Sequence, residues 1–449
     1  MQEPSKDKGA LERALSLVTE VRAGEGVVAL LLSLNVFLLM TAYLVIKPVR
    51  EGLILAMQSG AEYKSYMSAA IAVTLLVAVP AYARFADRLP KNRLVFWVTI
   101  FFASHLVLFF LGSFVEAVRV RLGLVFYLWL GIFNMMVVAQ FWAFANDLYD
   151  EEQGKRLFPL LGVGQTVGAL AGSAVAALLL ERVKLGLYQM LLAGGGLLVL
   201  SALLTVVVHR RHQADATTEK ALADEAAPVQ DKSGAFRLVF QHKYLTLLAA
   251  FSLIFSFVNT NGEYMLGRLL QEDARDQIAA GILAKDAMGA HIGAAFNRFY
   301  LYVGIGTVLL QTFVVSRLVK HAGLRIAFYV LPAIALADAT MVAVLPVLGV
   351  IFVGKIAENS VDYSVNNTVR NILWLPTTQE MKYKAKQAVD TFFVRMGDVS
   401  SALLVFVGTT FLGFGVRNFA MINVVLICAW LVLAAKILRE RLKLPGAHA

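Results

Sequence analysis

The sequence predicts an all-α integral membrane protein with about twelve transmembrane helices in two six-helix halves. Its apolar composition, its long apolar runs and an internal repeat lead to this prediction. Hydrophobic residues make up 59% of the 449 residues and charged residues only 16%, whereas soluble proteins have roughly a quarter charged residues. The mean hydropathy is +0.68. This composition excludes a disordered chain and a nucleic-acid-binding basic domain, although the formal net charge is +10.

Apolar runs of about 18–25 residues are long enough to cross a bilayer as helices. Between the predicted spans 7 and 8, the polar stretch 267–296 predicts a surface helix. The first 26 residues mix both signs of charge, so no signal peptide is predicted. The predicted spans, numbered in chain order, are 27–57, 64–83, 94–114, 122–146, 158–180, 187–208, 243–265, 297–316, 325–345, 347–374, 388–412 and 417–437.

Loops rich in lysine and arginine alternate along the chain with loops that contain few of them. The poor loops contain few cations, among them Lys64. Because cytoplasmic loops carry the excess of Lys and Arg, both termini are predicted to be cytoplasmic, in a bacterial inner membrane. The predicted organisation is a cytoplasmic N-terminal segment 1–26, a half 27–208, a cytoplasmic linker 209–242, a half 243–437 and a tail 438–449.

Two loops of the first half recur 229 residues later in the second half. The pair Glu151 and Lys155 recurs as Glu380 and Lys384, and the loop ARFADRLPKNR aligns with a loop around Arg317. A parallel repeat of this kind is the plan of the major facilitator fold, whose substrate site lies between the halves. Any cytoplasmic turn could supply the D-R-x-x-K string by itself. The candidate gating residues of these loops are Asp87, Arg88, Glu151, Lys155, Arg317, Glu380 and Lys384.

Charged residues inside spans are candidates for a transport site, because intramembrane charge is costly and usually lines a polar cavity. Span 10 has the clearest pattern, since positions 355, 358, 362, 366 and 370 share one helix face. Ion pairs within the helix that only neutralise the charges are the alternative interpretation. The candidates are Lys47, Arg50 and Glu51 in span 1, Glu263 in span 7, and Lys355, Glu358, Asp362 and Arg370 in span 10.

Two local patterns predict helix geometry. Pro48 beside the charges of span 1 removes a backbone hydrogen bond, which suits a mobile segment but is also common in membrane helices. Gly164, Gly168 and Gly172 in span 5 form a ridge of small residues, which predicts close helix packing. The single cysteine, Cys428, excludes an intrachain disulfide and is predicted to be buried.

Three stretches resemble the ATP/ADP antiporter family of plastids and intracellular bacteria. They are VIKPVREGLIL at 45–55, FWAFANDLYDEEQGKRLFPLLGVGQTVGAL at 141–170, and the region from Tyr363 to Asp390 that ends in KYKAKQAVD. The resemblance implies that basic residues of spans 1 and 10, here Arg50 and Arg370, act in transport. It also implies an acid in span 7, here Glu263, and one in span 4. The span 4 position falls near Leu130, where no acid is present, and Asn134 is the nearest polar residue.

The resemblance implies a secondary transporter that exchanges nucleotides or related phosphorylated anions by alternating access. A transporter of another solute stays open, possible proton carriers being Glu263, Glu358 and Asp362. A sensor or membrane enzyme is a third class, which no nucleophile–base pair or metal cluster supports. The expected partners are a small-molecule solute and the lipid bilayer, not nucleic acid. We expect a monomer, and neither a cofactor nor a bound metal.

Overall fold

The computed structural model describes residues 9–16, 19–86, 91–149, 151–215, 233–378, 381 and 385–444, and these residues contain helices and no strand. The side chains of 76–93, 147, 151, 155, 212–215 and 233–235 lie outside this description. The helices are α1 Ala10–Leu15, α2 Gly26–Leu55, α3 Gly60–Ala86, α4 Lys91–Gly112, α5 Glu116–Leu148, α6 Glu151–Ala177, α7 Leu187–Asp215, α8 Ser233–Gln241, α9 Lys243–Ala279, α10 Met288–Leu310, α11 Gly323–Val344, α12 Leu348–Val361, α13 Asn367–Leu373, α14 Lys386–Ala388, α15 Val394–Thr410 and α16 Val416–Arg441.

A helix overlaps each of the twelve predicted spans. Spans 1–6 correspond to α2–α7, spans 7–9 to α9–α11, span 10 to α12 and α13, and spans 11 and 12 to α15 and α16. Ten helices of the described chain are long and apolar enough to cross a membrane. The other two predicted spans correspond to α3 and to the α12–α13 segment with its four charged residues. The protein is therefore a multi-pass membrane protein.

The prediction of a surface helix at 267–296 is wrong. Helix α9 runs without interruption to Ala279, and α10 begins at Met288. The extension of α9 is not a solvated face, because Gln271 is fully buried and donates hydrogen bonds to the carbonyls of Leu55, at 2.9 Å, and Met57, at 2.6 Å. Its polar residues satisfy backbone groups where α2 ends, so polarity alone did not indicate exposure.

The glycine ridge of α6 packs against α2, as predicted. A Cβ atom at Gly168 would lie 2.5 Å from the carbonyl oxygen of Phe37, and one at Gly172 would lie 2.7 Å from that of Thr41. Only glycine permits this approach, and the Thr41 hydroxyl uses it to donate a 3.1 Å hydrogen bond to the Gly168 carbonyl. The ridge therefore fixes α2, the helix that carries Arg50, against α6.

The chain divides into two compact units. The first consists of residues 1–53, 75–226 and 293–298, and the second of residues 54–74, 227–292 and 299–449. In the second unit an apolar core joins α9, α11 and α16 through Phe251, Phe328 and Trp430. Cys428 lies on α16 and is exposed, so the prediction that it is buried is wrong. Its side chain points away from the protein core, on the surface that an apolar helix presents to lipid.

Candidate functional site

Helix α2 carries a charged turn in which Arg50 pairs with Glu51. The Arg50 side chain is 11% exposed and that of Glu51 is fully buried. Arg50 donates hydrogen bonds from Nε, at 3.0 Å, and from Nη2 to Glu51 Oε1. Its guanidinium carbon lies 4.4 Å from the ring centroid of Tyr127 on α5, which is a cation–π distance. Glu51 is therefore neutralised by the arginine next to it in the sequence.

Lys47 lies one turn before Glu51 on the same helix. Its Nζ is 5.7 Å from the ring centroid of Tyr43, and its side chain is half-buried. Pro48 lies inside α2, which continues as a helix on both sides of it. The turn thus combines two cations and one carboxylate with two aromatic rings on a helix whose backbone tolerates a proline.

The polar face predicted in span 10 is present, and Lys355 is its first residue and the most deeply buried of its charged side chains. The Lys355 side chain is 1% exposed. Its Nζ donates a 2.6 Å hydrogen bond to Glu358 Oε2 and a 3.0 Å bond to Asn259 Oδ1 on α9. A buried ammonium requires such partners because the membrane interior does not solvate it. The intrahelical pairing considered for these residues therefore exists, but it extends to a second helix.

Asp338 on α11 also contacts this face, and the sequence reasoning missed it. Asp338 is 7% exposed, and its carboxyl group lies against α12 one turn before Glu358. It packs so tightly on Gly354 that a Cβ there would lie 1.7 Å from Asp338 Oδ1. A single acid in the otherwise apolar span 9 was the available signal, since an unpaired acid in a span must find a partner on another helix.

The face continues through a wider helical turn at Asp362–Asn366. Asn366 Nδ2 donates a 2.7 Å hydrogen bond to Asp362 Oδ1. One turn on, Arg370 Nη2 donates a 2.6 Å bond to Asp390 Oδ1, and its guanidinium carbon lies 5.7 Å from the Phe255 ring centroid. The Arg370 side chain is 24% exposed, so it is more accessible than Arg50. Wide turns of this kind recur at functional sites.

A small cavity adjoins this face inside the second unit. It lies between α9, α11, α12 and α16 and has space for about one water molecule. Glu358 and Asp362 line it together with Asn259, Phe255 and Trp430. The indole Nε1–H of Trp430, which is 1% exposed, has no acceptor among the residues that the structure describes. The cavity is therefore lined by two carboxyl groups and by the indole ring of Trp430.

Glu263 lies on α9 and pairs with Lys64 on α3 at 3.5 Å. Lys64 is 2% exposed, so its assignment to a loop is wrong, because α3 begins at Gly60 and buries it. One turn away, Arg268 Nη1 donates a 2.7 Å hydrogen bond to Glu62 Oε1. These contacts connect α3 to α9 within the second unit.

Asp398 on α15 shows how a buried acid is satisfied elsewhere in this unit. Its Oδ1 accepts hydrogen bonds from the hydroxyls of Ser256, at 2.6 Å, and Thr260, at 2.7 Å. Its Oδ2 accepts a 3.0 Å bond from Arg395. Three side-chain donors therefore satisfy the oxygens of this carboxyl group.

The remaining predicted residues lie apart from these clusters. Asn134 is half-buried on α5, one turn from the buried Leu130. Arg317 is exposed and donates to the carbonyl of Phe313. Asp87, Arg88, Glu380 and Lys384 lie outside the described residues, as do the side chains of Glu151 and Lys155. Across the described part of the chain, no group of His, Cys, Asp and Glu is arranged to hold a metal ion.

A family model and a curated relative both match this chain, and both describe transporters of ATP and ADP. The TLC ATP/ADP transporter family model matches residues 111–441. The ADP,ATP carrier protein 1 of Chlamydia pneumoniae is 23% identical over 351 residues, which are 68% of this chain and 64% of that protein. The match thus spans less than two thirds of the relative's length.

Solved structures of transporters share the fold. The nucleoside transporter NupG aligns with a TM-score of 0.59 at 13% identity, over 92% of this chain and 98% of that one. A bacterial homologue of the iron transporter ferroportin aligns with a TM-score of 0.62 at 12% identity, over 91% and 98%. At these identities the likeness shows the fold alone, which is that of the major facilitator transporters, as the repeat predicted.

Proposed function

Because the chain belongs to the TLC ATP/ADP transporter family, we propose that it exchanges adenine nucleotides or related phosphorylated anions across the membrane by alternating access. The observation that carries the proposal is the presence of Arg50 and Arg370 inside apolar helices, each on a helix where the family resemblance implies a basic residue. Arginine binds phosphate through two parallel N–H donors, so two such residues suit a polyphosphate.

Both arginines are held by a carboxylate. Arg370 bonds Asp390 through Nη2. A guanidinium has five N–H donors, so one carboxylate does not exhaust them, and a phosphate can bind alongside or displace it. Arg370 is the better placed of the two for first contact because it is the more exposed. An aromatic ring lies within cation–π distance of each guanidinium group, Tyr127 beside Arg50 and Phe255 beside Arg370.

Exchange should be tested with the full chain reconstituted in liposomes preloaded with ADP. We expect uptake of radiolabelled ATP that requires internal nucleotide and is lost in Arg50→Ala and Arg370→Ala. Arg298→Ala is the matched control, because Arg298 forms an exposed ion pair with Glu181 at 2.9 Å outside these clusters. Wild-type uptake no greater than that of protein-free liposomes would refute nucleotide exchange.

We further propose that both termini are cytoplasmic, in a bacterial inner membrane, on the strength of the loop cations. Exposed sites on the two sides can be labelled after Cys428 is replaced by serine. Gln58→Cys after α2 and Arg210→Cys near the end of α7 should react with an impermeant thiol reagent from opposite sides. Labelling of both from one side would overturn this topology.

A further inference from the structure

The cluster of Lys355, Glu358 and Asp338 contains two carboxyl groups and one cation. Lys355 donates to Glu358 and to the neutral side chain of Asn259. Asp338 Oδ1 receives no hydrogen bond from any described residue, although the residue is only 7% exposed. Asp338 packs against α12 at Gly354, one turn before Glu358, and both the carboxyl of Glu358 and the ammonium of Lys355 act on it electrostatically. Two ionised carboxylates in this position would repel each other without a donor between them.

Other charges near the cluster do not correct the imbalance. Lys355 also interacts electrostatically with Glu263 on α9, but Glu263 is itself paired with Lys64 on α3. Asp362, which follows α12, lies within electrostatic range of Glu358 and of Arg370, but Arg370 already bonds Asp390. From α16 the cluster faces Trp430, which brings an N–H group and no charge. The carboxyl groups therefore outnumber the cations along the whole face.

We propose that Asp338 and Glu358 share one proton, and that this proton crosses the membrane with the anionic substrate. The pair takes the proton from hydronium, which becomes water, and returns it to water on the other side. The cavity beside Glu358 has space for about one water molecule and is also lined by Trp430. Asp398, by contrast, receives three hydrogen bonds from neighbouring side chains.

The proposal rests on the proposed nucleotide exchange for its substrate. ATP carries about one more negative charge than ADP at neutral pH, so a proton travelling with ATP makes the exchange electroneutral. Loss of one negative charge from the face also reduces its repulsion of a polyphosphate. By linkage, proton binding and anion binding should then strengthen each other.

Infrared difference spectroscopy tests the shared proton without any substrate. We expect the full chain in lipid, titrated from alkaline to neutral pH so that ordinary carboxylates stay ionised, to show the C=O band of a protonated carboxyl group. The band should disappear in Asp338→Asn and in Glu358→Gln and persist in Asp398→Asn. Asp338→Asn should fold, because an amide has the size and charge of the protonated acid. A band retained in both cluster variants, or replaced by carboxylate shifts that depend on sodium at fixed pH, would overturn the proposal.

Transport then tests the coupling. ATP/ADP exchange in liposomes should be insensitive to an imposed membrane voltage in the wild type and become voltage-dependent in Asp338→Asn. Equal voltage dependence in both would overturn the coupling. If the infrared band behaves as expected but no nucleotide is exchanged, the proton site stands and the proposed substrate fails.

Discussion

The charged turn of α2 and the charged face of α12 and α13 solve the same physical problem in different ways. In α2, Arg50 and Glu51 are neighbours in sequence and neutralise each other, and Tyr127 covers the guanidinium. On the α12–α13 face, Lys355 and Arg370 meet four carboxyl groups, those of Glu358, Asp338, Asp362 and Asp390. The α2 turn has more cations than carboxylates, because Lys47 lies one turn before Glu51, whereas the α12–α13 face has more carboxyl groups than cations.

This difference separates two roles that charges inside a membrane can play. A turn with more cations than carboxylates attracts negative charge, so the α2 turn with Arg50 suits the binding of an anion. A face with more carboxyl groups than cations must bind a proton or a cation before it can be stable in a low dielectric. The imbalance therefore indicates where coupling to an ion is built into the second unit.

The largest expected effect is that of Lys355→Met. This change leaves Glu358 and Asp338 buried without their cation, and removing one partner of a buried pair costs about 3–5 kcal/mol. We expect the thermal unfolding temperature of the purified protein to fall sharply. The double variant Lys355→Met/Glu358→Gln should recover most of the loss, and no recovery would show that Lys355 acts through packing alone.

Glu51→Gln should destabilise less. Arg50 loses its carboxylate but keeps the ring of Tyr127, and a cation–π contact is worth about 0.5–2 kcal/mol. We expect a fall in unfolding temperature roughly half that of Lys355→Met in the same assay. An equal or larger fall would mean that the α2 turn is as strained as the α12 face, and the contrast between them would disappear.

Replacing each arginine by lysine tests whether the two-donor geometry of the guanidinium is used to bind phosphate. Arg370→Lys and Arg50→Lys keep the charge but lose the two-donor geometry, so part of the ATP exchange should survive in each. We expect the KM for ATP to rise by about tenfold, which is about 1.4 kcal/mol. An unchanged KM in both variants would show that no paired hydrogen bonds to phosphate are made.

The smallest effect concerns an ion pair outside the membrane. Burial opposes ionisation of Glu25, but hydrogen bonds from Arg156, at 2.8 and 2.9 Å, and from the backbone of Arg22 outweigh it, so the pKa of Glu25 is lowered. A lowered pKa adds stability above the ordinary pKa of glutamate, and this stability is lost as the pH falls through the folded-state value.

Glu25→Gln should therefore lower the free energy of unfolding by about 1 kcal/mol at neutral pH, the net value of a typical hydrogen bond, since the two side chains are only 11% and 16% exposed. The difference from the wild type should vanish at acidic pH. Unfolding temperatures of both proteins at neutral and acidic pH check this. A constant difference across the pH range would contradict the role of the ionised carboxylate.

The sequence predicted those features that depend on neighbours along the chain. Long apolar windows located the spans, the four-residue spacing of Gly164, Gly168 and Gly172 located the packing ridge, and the same spacing located the face of Lys355. Each is visible in a single helix, because helical periodicity places these residues on one side whatever the helix packs against.

The features that sequence reasoning missed depend on contacts between helices. Asp338 is a single acid whose partner lies on α12, and Lys64 pairs with a residue on α9. The polar extension of α9 was assigned to the surface because nothing in its own sequence shows that Gln271 bonds carbonyls at the end of α2. Tertiary packing decides whether such polar groups are solvated or buried.

Equilibrium binding of radiolabelled ATP to the purified protein tests the central claim most directly, which is that Arg50 and Arg370 bind the phosphate groups of the substrate. Loss of a buried charged contact costs about 2–5 kcal/mol, so Arg50→Ala and Arg370→Ala should each raise the Kd by about 30-fold or more. Arg298→Ala should bind as the wild type does. Wild-type affinity for ATP in both Arg50→Ala and Arg370→Ala would contradict the claim and leave these arginines a purely structural role.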